Sequence, residues 1–163
     1  MSWKNFLFSF RGRVGRAGFF LYGALAVPLY LLLAVLLWIY ALSIPGAYEN
    51  GGTPLPTGPL GIAGAFLFFL LLGVATLAGA AITVKRLHDR NKAWWWIAVF
   101  LIAPDLLFGW AQYLTDSETA STTTLVAVQF AALALTIWGF VELALLRGTP
   151  GANRFGPDPL STA

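Results

Sequence analysis

Apolar residues fall in four long runs, divided by short stretches rich in chain breakers or in charge. Phe19 to Leu42, Leu60 to Val84, Trp94 to Tyr113 and Leu125 to Leu146 are each almost uniformly apolar. Each has the roughly 20 residues that cross about 30 Å of hydrocarbon at about 1.5 Å per residue. A helix that is apolar all round has no face to offer water, so these runs predict membrane spans. Pro28 lies inside the first and predicts a kink, tolerated where neighbouring helices satisfy the freed backbone. Pro104-Asp105 interrupts the third, and Glu142 stands near the end of the fourth. Ahead of the spans, Trp3, Phe6, Leu7 and Phe10 recur at i, i+3, i+4 and i+7, with Lys4 and Arg11 off that face. That is the pattern of a short helix lying in the membrane interface.

The connections fit. Ser43 to Pro59 is rich in Gly and Pro and cannot continue a helix. Thr115 to Thr124 is rich in Ser and Thr, with Asp116 or Ser117 starting a short turn, and the tail from Arg147 is irregular by its Gly and Pro content. The fold class expected is an all-α membrane protein, one integral domain over 1–163. Four transmembrane helices follow a short interfacial amphipathic helix.

Composition strengthens this reading. The chain is 58% apolar and 10% charged, where soluble domains have about 45–50% and about 25%. The placement of its cations sets the orientation. Lys4, Arg11, Arg13 and Arg16 precede the first span, Lys85, Arg86, Arg90 and Lys92 separate the second from the third, and Arg147 and Arg154 follow the fourth. Those are all ten Lys and Arg; the other two connections carry only Glu49, Asp116 and Glu118. Positively charged flanks stay in the cytoplasm, so both termini are expected there. The first run is far longer than a signal-peptide core, so no cleaved leader is expected. Because the chain has no cysteine, single cysteines report this cleanly. Thr53→Cys and Thr119→Cys should react with an impermeant thiol reagent outside intact cells, and Asn91→Cys and Ser161→Cys should not. Outside labelling at position 91 would reverse the orientation.

The absence of cysteine excludes disulfides and thiolate chemistry, and a single histidine, His88, excludes a histidine-cluster metal site. No cofactor is expected. Nucleic acid is not an expected partner, since the spans leave no soluble basic surface.

Three motifs carry the remaining chemistry. Phe10-Arg11-Gly12-Arg13-Val14-Gly15-Arg16 either grips a phosphate through its arginines or is a topology flank attracted to anionic lipid at about 1 kcal/mol per cation. Lys85 to Lys92, ending in Trp94-Trp95-Trp96, is largely explained by helix-end cations and an interfacial tryptophan belt. His88-Asp89 inside it is not, although no nucleophile or metal ligand accompanies the pair. Gly148 to Pro159 is dense in turn formers, with Asn153, Arg154 and Phe155 placed to dock. Within the spans, Ala75, Gly79 and Thr83 form a small-residue packing ridge. Asp105 and Glu142 are acids in apolar surroundings, with Glu142 close enough to its flank to pair with an arginine.

Together the motifs resemble those of the DUF805 family of small bacterial inner-membrane proteins. Phe10, Gly12, Arg13, Arg16, Phe19 and Phe20 match its first motif. Arg86, Leu87, His88, Asp89, Trp94 and Trp95 match the second, and Gly148, Thr149, Gly151, Asn153, Arg154, Phe155, Gly156, Asp158 and Pro159 the third. The resemblance implies a bacterial inner-membrane location and no particular activity. The leading expectation is a non-enzymatic protein whose cytoplasmic face binds anionic lipid head groups or a protein partner, a second copy included. Its site would comprise Arg13, Arg16, Arg86, His88, Asp89, Trp94, Trp95, Asn153 and Arg154. The alternative is a small transporter or channel component using Asp105 and Glu142, and an intramembrane enzyme ranks third. All three motifs sit at span ends expected on one membrane surface, so they are expected to meet there, with Asp89 pairing to Arg13 or Arg16.

Overall fold

Ser2 starts the first helix, α1 (Trp3–Phe8), its hydroxyl accepting the Asn5 N–H at 3.4 Å. The helix stops at Phe8, so Phe10 lies beyond it and only Trp3, Phe6 and Leu7 of the expected face are helical. This computed structural model describes residues 2–42, 59–117 and 120–161. The connection expected at 43–58, with Glu49 and Thr53, lies outside the described residues, as do Glu118 and Thr119 of the next connection.

Four long helices follow: α2 (Arg16–Leu42), α3 (Pro59–Asp89), α4 (Ala103–Asp116) and α5 (Thr122–Phe140). A π-helical turn, Ala98–Ile102, runs straight into α4, and a second, Val141–Leu145, runs straight out of α5. Counted with these turns, four helices among the described residues are long and apolar enough to cross a membrane. Among the described residues there is no strand, only an isolated bridge between Asn153 and Gly156. The protein is all-helical.

Several element boundaries differ from the sequence reading; the first span starts at Arg16 rather than Phe19, and the third ends at Asp116 rather than Tyr113. The second span does not end at Val84; α3 continues through Asp89. It ends in a Schellman motif, with Asn91 at φ 56°, Asn91 N–H on the His88 carbonyl at 3.0 Å and Lys92 N–H on the Leu87 carbonyl at 2.8 Å. The helix therefore carries its last polar residues inside the fold, where their partners are. The third span does not begin at Trp94. Trp94 and Trp95 lie in a turn, and Pro104-Asp105 is no interruption. The π-turn ends where Pro104 lacks an N–H, and Ala103 N–H reaches back to the Ala98 carbonyl, so five-residue bonding gives way to four-residue bonding without a break. The fourth span starts three residues early, at Thr122, because Ser121 caps it by accepting Thr124 N–H at 3.2 Å. The turn expected at Asp116 or Ser117 is instead the end of α4.

The chain forms two compact units. In Leu21–Gly79, α2 meets α3 where the Tyr22 hydroxyl donates to the Ala75 carbonyl at 2.9 Å. A Cβ on Gly79 would lie 3.1 Å from the Tyr22 hydroxyl, so the small-residue ridge serves to receive a tyrosine. The other unit, Met1–Phe20 with Ala80–Ala163, has a core of Leu87, Phe100 and Leu143, packed by Phe19, Trp96, Ile97 and Val99. Gly139 lets α5 approach the first π-turn, since a Cβ there would stand 3.2 Å from the Phe100 carbonyl oxygen. Elsewhere the spans turn apolar groups outward, with Phe66 71% and Leu106 68% exposed. Water would penalise that surface by about 25 cal/mol per Å². Lipid does not.

Candidate functional site

Asp89 is the node of the larger unit. The last turn of α3 carries it to the helix end, where it lies 3% exposed. Its Oδ1 accepts Arg13 Nε at 3.1 Å and a second Arg13 nitrogen at 2.9 Å, a two-donor grip on one oxygen. Its Oδ2 accepts from Arg86, one helical turn earlier. A buried carboxylate needs compensation for its lost hydration, and two buried guanidiniums supply it. The expectation that Asp89 pairs with Arg13 or Arg16 resolves to Arg13. Arg86 joins as a second partner.

Arg13 spends its whole donor set inside the protein. Beyond Asp89, it donates to the Gly151 and Thr149 carbonyls, each at 2.6 Å, and to the Gly156 carbonyl at 3.4 Å. Those contacts occupy all five N–H groups of a guanidinium. The tail is thereby folded around an arginine from the first motif. Thr149 N–H and hydroxyl both reach the Asp89 carbonyl, at 2.8 and 3.0 Å. Asn153 donates to the His88 carbonyl and to the Thr149 hydroxyl, both at 2.9 Å. Gly151 holds its turn at φ +73°, a conformation that suits glycine. Asp158 closes the tail on itself, and the Leu160 N–H and then the Gly151 N–H, each at 2.9 Å, hold its carboxyl below the usual carboxylate range.

His88 is held on two sides. Its Nδ1 lies 3.1 Å from the Gly12 carbonyl, which can only accept, so Nδ1 carries the proton. Phe155 stacks on its ring at 3.8 Å and 7°. The neighbouring His88 and Asp89 side chains thus serve different partners and do not form an acid–base pair. Arg154 rests over Phe155 and donates to the Asn91 carbonyl at 3.1 Å.

Three arginines close the end of the fourth span. A helix end leaves its last carbonyls unpaired, and a negative end of the dipole with them. Arg86 Nε takes the Leu143 carbonyl at 2.7 Å, and another Arg86 nitrogen takes that of Leu146. Arg16 takes Leu145 at 3.1 Å and Arg90 takes the Arg147 carbonyl at 2.5 Å. Lys85, fully buried, does the same for α1 through the Asn5 carbonyl at 3.1 Å and that of Phe6. Neither the Lys85 role nor the carbonyl capping was read from the sequence; the available signal was a run of cations adjoining the end of an apolar helix.

The two intramembrane acids part company. Glu142 is paired, with Arg90 at 3.2 Å and Lys92 at 3.6 Å, and Lys92 also sits 4.1 Å over the Trp96 ring. Asp105 is exposed and forms no hydrogen bond or ion pair with any described residue. A transport path built on both acids would have to break the Glu142 pairs. Trp94 and Trp95 remain outside the Asp89 cluster, 69% and 49% exposed, on an apolar groove that His88 also lines.

Beside the cluster lies a cleft of about 660 Å³. Gly15 with the start of α2 (Arg16 to Gly18), Asp89, the tail at Arg147 to Pro150, and Asp158 to Leu160 line it. Arg16 and Arg147 are both exposed there. Arg16 gives one donor to the Leu145 carbonyl, and the Arg147 guanidinium makes no hydrogen bond with a described residue. Among the described residues no group of three or more His, Cys, Asp or Glu side chains is placed to hold a metal ion.

Comparison with known proteins adds relatives rather than a mechanism. The family model for DUF805, a protein family of unknown function, matches residues 7–157. The uncharacterized protein YiiR of Escherichia coli strain K12 is 30% identical over 159 residues, covering 97% of this chain and 90% of the relative. The inner membrane protein YhaH of the same strain is 33% identical over 79 residues, 48% of this chain and 40% of that protein. No solved structure matches.

Proposed function

Since the chain belongs to the DUF805 family, a family of unknown function, and has four helices long and apolar enough to cross a membrane, we propose its role from geometry: a non-enzymatic protein of the bacterial inner membrane that holds an anionic lipid head group at its cytoplasmic face. One observation carries this reading. Of the first motif's arginines, Arg13 has no donor left for a ligand, whereas Arg16, which gives one donor to the Leu145 carbonyl, keeps others beside Arg147 at the rim of a cleft large enough for a head group. The binding expected of the motif residues therefore falls to Arg16, itself one of them, together with Arg147, and the Asp89 cluster becomes the scaffold that sets the two arginines apart. Guanidinium suits a phosphate because its paired donors match two oxygens. Asp158 on the same lining favours a head group that also carries a donor, an ammonium or a hydroxyl.

The test is lipid retention by the purified protein, read by native mass spectrometry with phosphatidylglycerol against phosphatidylcholine. Charge-assisted bonds of about 1.5–3 kcal/mol predict that Arg16→Ala and Arg147→Ala each weaken phosphatidylglycerol binding about tenfold or more. Lys4→Ala with Arg11→Ala removes equal charge away from the cleft and should cost far less. Equal losses from the two pairs would reduce the cleft to ordinary surface attraction.

A further inference from the structure

The third span presents a polar face that no described residue covers. Residues advance by about 100° around a helix, so Asp105, Gly109, Gln112 and Asp116 fall within a sector of roughly 60°. That sector points roughly 120° away from Pro104 and Ala111, the buried residues of the same helix. All four stripe residues are exposed. Asp105 has no partner among the described residues, and a Cβ at Gly109 would meet nothing within 4 Å. Gln112 bonds only to Asp116, one turn on, at 2.9 Å.

Depth makes this consequential. The span is Ala98–Asp116, so Asp105 lies about 10 Å from one end and about 16 Å from the other at 1.5 Å per residue. A carboxyl at that depth facing hydrocarbon is costly by at least about 2.5 kcal/mol, and such groups face protein or a water-filled cavity. Something covers Asp105.

We propose that this face is the contact between two copies of the chain, packed by α4 against α4 about a two-fold axis. Two copies in one membrane share an orientation, so a two-fold axis along the membrane normal brings each residue to its own equivalent at the same depth. The polar groups that this face carries at hydrocarbon depth, Asp105 and Gln112, are each self-complementary. Two carboxyls hydrogen-bond through a shared proton. Two side-chain amides each donate and accept, and Gly109 between them lets the backbones approach. Asp116, the last residue of the span, lies at the membrane surface, where water hydrates it in both copies. A cationic partner helix is not needed, and none of this chain's own cations lies at that depth, since all ten sit in the three basic flanks.

Cross-linking in native membranes tests this, using the absence of cysteine. Gly109→Cys and Gln112→Cys, as single changes, should give a disulfide-linked product of twice the chain mass on mild oxidation. Phe130→Cys, also exposed but on α5, should not. Asp105→Leu should lower the yield at position 112 about tenfold, and Asp105→Asn should preserve it, because an amide also pairs with itself. Equal cross-linking at Phe130, none at 109 and 112, a product with a different protein, or indifference to Asp105→Leu would each overturn the proposal. An unfolding temperature in detergent unchanged from the parent chain shows that the variants are folded, and the lipid-binding proposal stands or fails separately.

Discussion

Replacing Asp89 with alanine is expected to remove about 3–5 kcal/mol of stability, the cost of leaving buried charges without their counter-ion. The side chains of Arg13 and Arg86 are 1% and 0% exposed, and Asp89 is the acid that both contact. Neither can turn to water without releasing the carbonyls it holds, Thr149 and Gly151 for Arg13, Leu143 and Leu146 for Arg86. The loss should appear in thermal unfolding of the detergent-solubilised protein. Asp89→Asn keeps the shape without the charge and should fall between. Arg13→Ala combined with Asp89→Ala should show a coupling of about 0.5–3 kcal/mol, as touching residues do. Additive losses would mean that the three motifs act independently.

The second large effect is expected from one methyl group. A Cβ at Gly148 would stand 2.5 Å from the Asp89 carboxyl carbon, with both carboxyl oxygens also in overlap. Asp89 cannot yield, because guanidiniums grip both its oxygens. The tail must move instead, and with it the Thr149, Asn153 and Phe155 contacts. Overpacking of this kind costs about 1–3 kcal/mol, so Gly148→Ala should raise tryptic cleavage at Arg154 by about tenfold or more. Gly73→Ala, where an added Cβ meets nothing within 4 Å, should leave cleavage unchanged. Equal cleavage in the two variants would show that the tail is not held at Gly148.

The spans were legible because membrane crossing depends on a local sum. Twenty apolar residues decide it wherever the rest of the chain lies. For the same reason the boundaries were the weaker part. Hydropathy falls at Lys85, yet α3 runs on to Asp89, since Lys85, Arg86 and Asp89 are all satisfied inside the fold. Asn91, tolerant of positive φ, was the local mark of the true end. Pro104-Asp105 reads as a break only if the bonding must be α-helical throughout, and a π-turn removes that requirement.

Composition and cation spacing by themselves determined that the chain is helical, that it enters a membrane four times, and that its three motifs lie at helix ends. Those properties rest on solvation of each segment separately. Only the tertiary structure decided that Arg13 and Arg86 share Asp89 while Arg16 is left at the cleft, that Glu142 is paired, and that Asp105 faces outward. An arginine's role depends on which carbonyls and carboxylates come within about 3 Å of it, and residues 76 and 138 positions apart along the chain meet Arg13 only once the helices have packed.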